Sequence, residues 1–133
     1  MAATTGLAFG QEHSHEHMSH GGGASQKLSG LLGDCVEKGE VCLNHCLESF
    51  VAGDKSLAEC ARIVNELNYM CATGPRAVNF NSKRMKATLK ICMEICEECE
   101  KECRKHEKKH TTCKECADAC ARCVDECKKA LAA

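Results

Sequence analysis

The sequence predicts an all-α protein: an antiparallel up-down-up-down four-helix bundle with a cysteine-lined core and a disordered N-terminal tail. Three observations predict it. Four segments of helical length are separated by short turn signals. Each segment gathers its cysteines on one face. The cysteines of consecutive segments also come into register when the chain is folded back at those turns.

Residues 1–24 read as a tail and residues 25–133 as the bundle domain. Ala2–Gly10 is small and apolar, like the end of a signal peptide without its charged region. That predicts export to the periplasm. The alternative is a plain disordered N-terminus on a cytoplasmic protein. His13, His15, His17, Met18 and His20 follow, then the linker glycines Gly21–Gly23. This cluster reads either as a solvated linker or as a first capture point for metal.

The first helix is expected over Ser25–Ala52, stopped by Gly53. Asp54 is the expected N-cap of a second helix that runs to Ala72. Thr73-Gly74-Pro75 then breaks the chain. Asn81 or Ser82 is the expected cap of the third helix, which runs to Glu107. Thr112 with Glu115 fits a capping box for the fourth, ending near Leu131.

Residues on a helix are set about 100° apart. On that basis Cys35, Cys42 and Cys46 share a sector of about 40°, and Cys60 and Cys71 lie about 20° apart. Cys92, Cys96, Cys99 and Cys103 span about 60°, and Cys113, Cys116, Cys120, Cys123 and Cys127 about 80°. These stripes stand where a bundle helix would carry Leu and Ile. Val64 and Leu67 share the second helix's stripe, so the stripe faces inward. Glu94, Glu97, Lys101, Lys105 and Arg122 lie on the outer sides.

Facing residues of an antiparallel pair have numbers with a constant sum. One sum serves Cys92/Cys127, Cys96/Cys123, Cys99/Cys120, Cys103/Cys116 and His106/Cys113. Another serves Cys35/Cys71 and Cys46/Cys60. The implied midpoints, Gly53 and Lys109–His110, coincide with turns assigned independently from local signals.

Composition narrows the function. The chain has 133 residues with 18 Lys+Arg against 19 Asp+Glu. That balance predicts no nucleic-acid surface. Phe9, Phe50, Tyr69 and Phe80 are the only aromatics, too few for a base-stacking platform. No apolar run has the length of a membrane span, so no membrane insertion is expected. No nucleophile, base and orienting group recur together, so no enzyme is predicted. Fourteen cysteines exceed the level that marks a cysteine-built protein. Their role is therefore the functional question.

Thiolates select Cu(I), Zn(II) and iron–sulfur clusters. Zinc prefers closed sets of four ligands. The cysteines here run as ladders along helices, without isolated foursomes. A Cys-Pro-terminated cluster run is also absent. Cu(I) accepts two sulfurs and lets adjacent sites share thiolates. Buried thiolates need counter-charge, and one monovalent ion per thiolate gives neutrality. The expectation is multiple Cu(I) ions, about one per cysteine, held in storage. The alternatives are a helical protein stapled by inter-helix disulfides and a zinc- or cadmium-sequestering protein.

His45, His106 and His110 fall at the end carrying the first and last turns. They read either as a relay that admits copper or as solvated side chains. Leu28, Leu31, Leu32, Val78, Phe80 and Leu131 are expected to plug the other end. Met85 lies on the inner stripe as a core residue or a sulfur ligand, and Met70 and Met93 read as packing.

The ladder Cys35, Cys42, Cys46, Cys60, Cys71, followed by CMEICEECEKEC and CKECADACARCVDEC, resembles the bacterial copper storage proteins. The resemblance covers residues 25–133. It implies a four-helix bundle whose luminal cysteines hold many Cu(I) ions. It also implies a homotetramer, protection from free copper, and delivery to a copper-requiring oxidase or a copper chaperone. Members of that family are cytosolic or carry a twin-arginine export signal; no twin arginine occurs here.

Overall fold

The structure is a computed structural model and describes residues 22–133. Its elements are α1 (Gly23–Val51), α2 (Ala58–Cys71), α3 (Gly74–Asn79), α4 (Met85–Arg104) and α5 (Thr111–Ala132). The four long helices form the expected antiparallel bundle. They pack in the cyclic order α1, α2, α4, α5, and short α3 lies against α1 at one end. No helix among the described residues is long and apolar enough to cross a membrane. The segment Ala2–Gly10 and the cluster His13–His20 lie outside the described residues. Gly23, expected in the linker, already belongs to α1.

Each junction has a local cause. Gly53 has a φ of 87°, which a side chain would oppose. Its N–H donates to the Phe50 carbonyl and that of Asp54 to the Ser49 carbonyl, a Schellman closure of α1. Asp54 therefore finishes one helix and does not cap the next. Its carboxylate accepts from the Ser56 N–H, and α2 starts only after the fully buried Leu57.

The Thr73-Gly74-Pro75 segment does not simply break the chain. Pro75 lies in the first turn of α3, where its missing N–H and fixed φ cost little. The same closure recurs at its other end, where Asn81 (φ 46°) donates to Val78 and Ser82 to Ala77. Asn81 is thus a helix terminator. Ser82 does accept from the Arg84 N–H, although α4 begins only at Met85.

The last turn also departs from expectation. α4 ends at Arg104, and His110, in extended conformation, precedes α5. Thr112 consequently lies inside the first turn. Its hydroxyl oxygen is buried without a partner, so the Thr112–Glu115 capping box does not form.

Leu28, Leu32, Val78 and Leu89 are buried at the far end, and Leu31 and Leu131 are half-buried. Phe80 corrects the expected plug, because it is 78% exposed. Two residues on a helix are separated by about 200°, so Val78 and Phe80 cannot both face inward. α3 turns Val78 into the bundle and leaves Phe80 outside. Met70, Met85 and Met93 are partly buried against the core.

Candidate metal centre

All fourteen cysteines are free thiols, and all are fully buried. α1 supplies Cys35, Cys42 and Cys46, and α2 supplies Cys60 and Cys71. Cys92, Cys96, Cys99 and Cys103 come from α4, and Cys113, Cys116, Cys120, Cys123 and Cys127 from α5. The helical period brings them inward together.

Four triples have sulfur atoms within 4.8 Å of one another: Cys35/Cys96/Cys123, Cys42/Cys103/Cys116, Cys42/Cys60/Cys113 and Cys99/Cys116/Cys120. Three of the facing pairs read from the register, Cys96/Cys123, Cys99/Cys120 and Cys103/Cys116, occur within them. Closer contacts run along the tube. Cys35 is 3.5 Å from both Cys96 and Cys120, and Cys60 is 3.6 Å from Cys103. Cys99 is 3.8 Å from both Cys103 and Cys116. Cys123 and Cys127 are 4.0 Å apart, and Cys71 approaches the Cys92 carbonyl at 3.9 Å. Cys46 sits beside Cys42 and Cys60.

These thiols shift one another unequally. Cys113 is pulled down to about 3 by the Cys42 and Cys60 thiols, and His110 and His106 add to the pull. Cys46 falls to about 4 through Cys42 and Cys60. Cys42 is pushed far up, first by its hydrogen bonds with Cys103 and Cys113 and then by burial. Cys120 rises through Cys116 and Cys35, and Cys127 through Cys123 and burial. Some thiols thus keep protons that stabilise charge on their neighbours. Ionising the remainder requires positive charge in the lumen.

The three histidines gather at the near end. His45 Nε2 lies 2.8 Å from His110 Nδ1, and the His106 and His110 rings are 6.4 Å apart. None of the three belongs to a thiol triple. His106 Nε2 lies 3.3 Å from Glu102 Oε1, and Lys105 also binds Glu102. The hydrogen bond from the Lys105 ammonium, with that to His106, holds the Glu102 carboxyl below its ordinary value. Sequence reading missed Glu102, although its position four residues before His106 on a helix was the available signal.

Closed sulfur triples inside a four-helix tube define a class: a helical bundle built to hold soft metal ions. The family model described as Csp, copper storage protein, matches residues 22–132. The chain belongs to the copper storage protein family. It is similar to the Cu(I)-bound copper storage protein BsCsp3, with 33% identity and a TM-score of 0.72 over 80% of this chain and 96% of that one. It is also similar to a cytosolic copper storage protein from Streptomyces lividans, solved with five coppers. Identity there is 26%, the TM-score 0.74, and coverage 83% of this chain and 93% of that one. A third similar structure is apo-Csp3 from Bacillus subtilis, at 31% identity and TM-score 0.70, covering 80% and 98%. No curated protein matches the chain.

Proposed function

We propose that the protein stores Cu(I), about one ion per cysteine, on thiolates inside the bundle. The observation that carries this reading is the set of fourteen fully buried thiols, eleven of which have another cysteine sulfur within 3.5–4.8 Å. The sulfur groups are threes, which suit Cu(I) better than the closed foursomes of zinc. One Cu⁺ per thiolate also neutralises the lumen, which its polarised thiol pairs cannot do for themselves. The fourteen cysteines are the proposed ligands. Relatives solved with five coppers and with ten copper equivalents support a many-ion store.

Copper is admitted at the end carrying His45, His106 and His110, because α3 and Leu32 close the other. The stored ions supply a copper-requiring oxidase or a copper chaperone and are kept from free solution. The cytosolic Streptomyces relative supports a cytoplasmic store over an exported one. Assembly as a homotetramer accords with the family.

The test is an anaerobic Cu(I) titration of reduced protein against a chromophoric Cu(I) chelator. Uptake near one ion per cysteine, tight enough to strip the chelator, is expected. Saturation at one to three ions would refute storage. Replacing His45, His106 and His110 with Ala should slow filling and removal; unchanged rates would refute the histidine route.

A further inference from the structure

The thiols of the lumen are not evenly distributed along its four walls. On α4 and α5 cysteines recur at every turn or so. On α1 and α2 they are interrupted. Between Cys35 and Cys42 the inward position of α1 is Gly39, and between Cys60 and Cys71 those of α2 are Val64 and Leu67. Gly39 is buried, and Val64 and Leu67 have no exposed surface. The antiparallel register of α2 and α4 is set by Cys60 against Cys103 and Cys71 against Cys92. It places Val64 opposite Cys99 and Leu67 opposite Cys96.

This interruption is a closed wall. A Cβ on Gly39 would collide with Asn68 Oδ1 and would lie 3.1 Å from Leu67 Cδ2. The two helices therefore meet so closely that α1 has no room for a thiol at this level. The α1–α2 half of the tube carries no sulfur here, and sulfur remains only on the α4–α5 side.

The cysteines consequently fall into three groups. A near pool by the histidines holds Cys42, Cys46, Cys60, Cys103 and Cys113. A far pool holds Cys35, Cys71, Cys92, Cys96, Cys123 and Cys127. Between them stands the triple Cys99/Cys116/Cys120. Cys99 and Cys116 face the near pool, since Cys99 touches Cys103 and Cys116 lies within 4.8 Å of Cys42. Cys120 is the member that touches the far pool, at 3.5 Å from Cys35.

Building on the storage reading, we infer that Cys120 is the transfer point through which copper passes from the near pool to the far pool. The physical reason is the cost of a bare ion in hydrocarbon. Cu(I) must bond to the next sulfur before it leaves the last. Two metal–thiolate bonds of about 2.3 Å span about 4.6 Å, and the sulfurs of the middle triple all lie within 4.8 Å of one another. In each transfer the incoming thiol gives its proton to the outgoing sulfur, one Cu–S bond forms and one breaks. The copper remains Cu(I), and no oxidant or reductant is consumed. Val64 and Leu67 offer no sulfur to an alternative path.

The experiment is anaerobic stopped-flow filling of the reduced full-length chain with Cu(I) delivered from a weak chelator. The Cu(I)–thiolate ultraviolet absorbance gives the rate, and chelator competition gives the final capacity. Cys120→Ser should fill the near pool at the wild-type rate and then show a phase at least tenfold slower. Its final capacity should fall by about one ion. Cys127→Ser, at the end of the ladder, should lose similar capacity without that phase. Leu67→Cys places a sulfur on the α2 wall opposite Cys96. It should restore the rate in the Cys120→Ser background and accelerate late filling in the otherwise unaltered chain. The second comparison holds even if Cys120→Ser fails to fold. A Cys120→Ser time course matching that of Cys127→Ser would overturn the inference, as would late filling unchanged by Leu67→Cys. A wild-type chain that takes up no copper would overturn the storage reading itself, and this inference with it.

Discussion

The far-end seal can be tested through one contact, Leu32 against Gly74. Leu32 is fully buried, and a methyl added to Gly74 would sit 3.0 and 3.1 Å from its two Cδ atoms. Leu32→Ala should cost about 3 kcal/mol, as buried leucine truncations do when the cavity stays open. Gly74→Ala alone has opposed effects. Restricting the unfolded backbone contributes about 0.7 kcal/mol of stability. Crowding Leu32 costs about 1–2 kcal/mol, so the single variant should be destabilised by about 1 kcal/mol. In the Leu32→Ala background the crowding vanishes. The new methyl then enters the cavity and adds about 0.8 kcal/mol of burial to the backbone effect. Gly74→Ala should therefore change sign and stabilise that variant by about 1.5 kcal/mol. The coupling is about 2.5 kcal/mol. Urea unfolding of the reduced apo protein, followed by far-UV circular dichroism, measures all four corners of the cycle. Additivity within about 0.5 kcal/mol would refute the packing argument, because uncoupled sites behave that way.

Three further outcomes are expected. Thr112→Val keeps the shape of the side chain and removes a buried, unpaired oxygen, so it should stabilise the apo protein by about 1 kcal/mol; a lower urea midpoint would contradict this. Arg104 pairs with Glu100, Glu107 and Asp118, and Arg104→Gln should cost about 0.5–1 kcal/mol at pH 7 after allowance for solvent screening. Lys114 and Arg104 hold the Asp118 carboxyl below its ordinary value, so this contribution is present above the unfolded pKa and disappears as pH falls through the folded one. Wild type and Arg104→Gln should converge on acidification, and a gap that persisted or widened at low pH would count against the ion-pair origin. Copper filling should release protons, because Cys42, Cys92, Cys120 and Cys127 are pushed up and hold theirs in the apo state. A pH-stat should record this release and filling should weaken as pH falls; copper uptake without proton release would show that the thiols had ionised beforehand.

What the sequence disclosed and what it withheld follow from one distinction. The bundle and its thiol lining depend on periodicity, which is written in the chain. Cys96/Cys123, Cys99/Cys120 and Cys103/Cys116 were readable because two antiparallel helices joined by a short turn have only one register that stacks four pairs of inward thiols. The helix ends depend instead on which side chain wins a local competition. Asp54, Asn81 and Thr112 each have the chemistry of an N-cap. Asp54 lost that place to the preceding Schellman closure and the burial of Leu57, Asn81 to its own left-handed backbone, and Thr112 to the extended residue His110. The plug shows the same limit, since Phe80 is the larger hydrophobe but Val78 faces inward. The narrowing of the lumen lies between these cases. Val64 and Leu67 were visible on the inner stripe and showed which way α2 faces. Their consequence needed the pairing of α1 with α2. Gly39 carried no reading in the sequence, whereas against Leu67 and Asn68 it is the residue that lets the two walls close. A periodic pattern thus indicates where sulfur is placed, and the breaks in that pattern indicate how copper must travel.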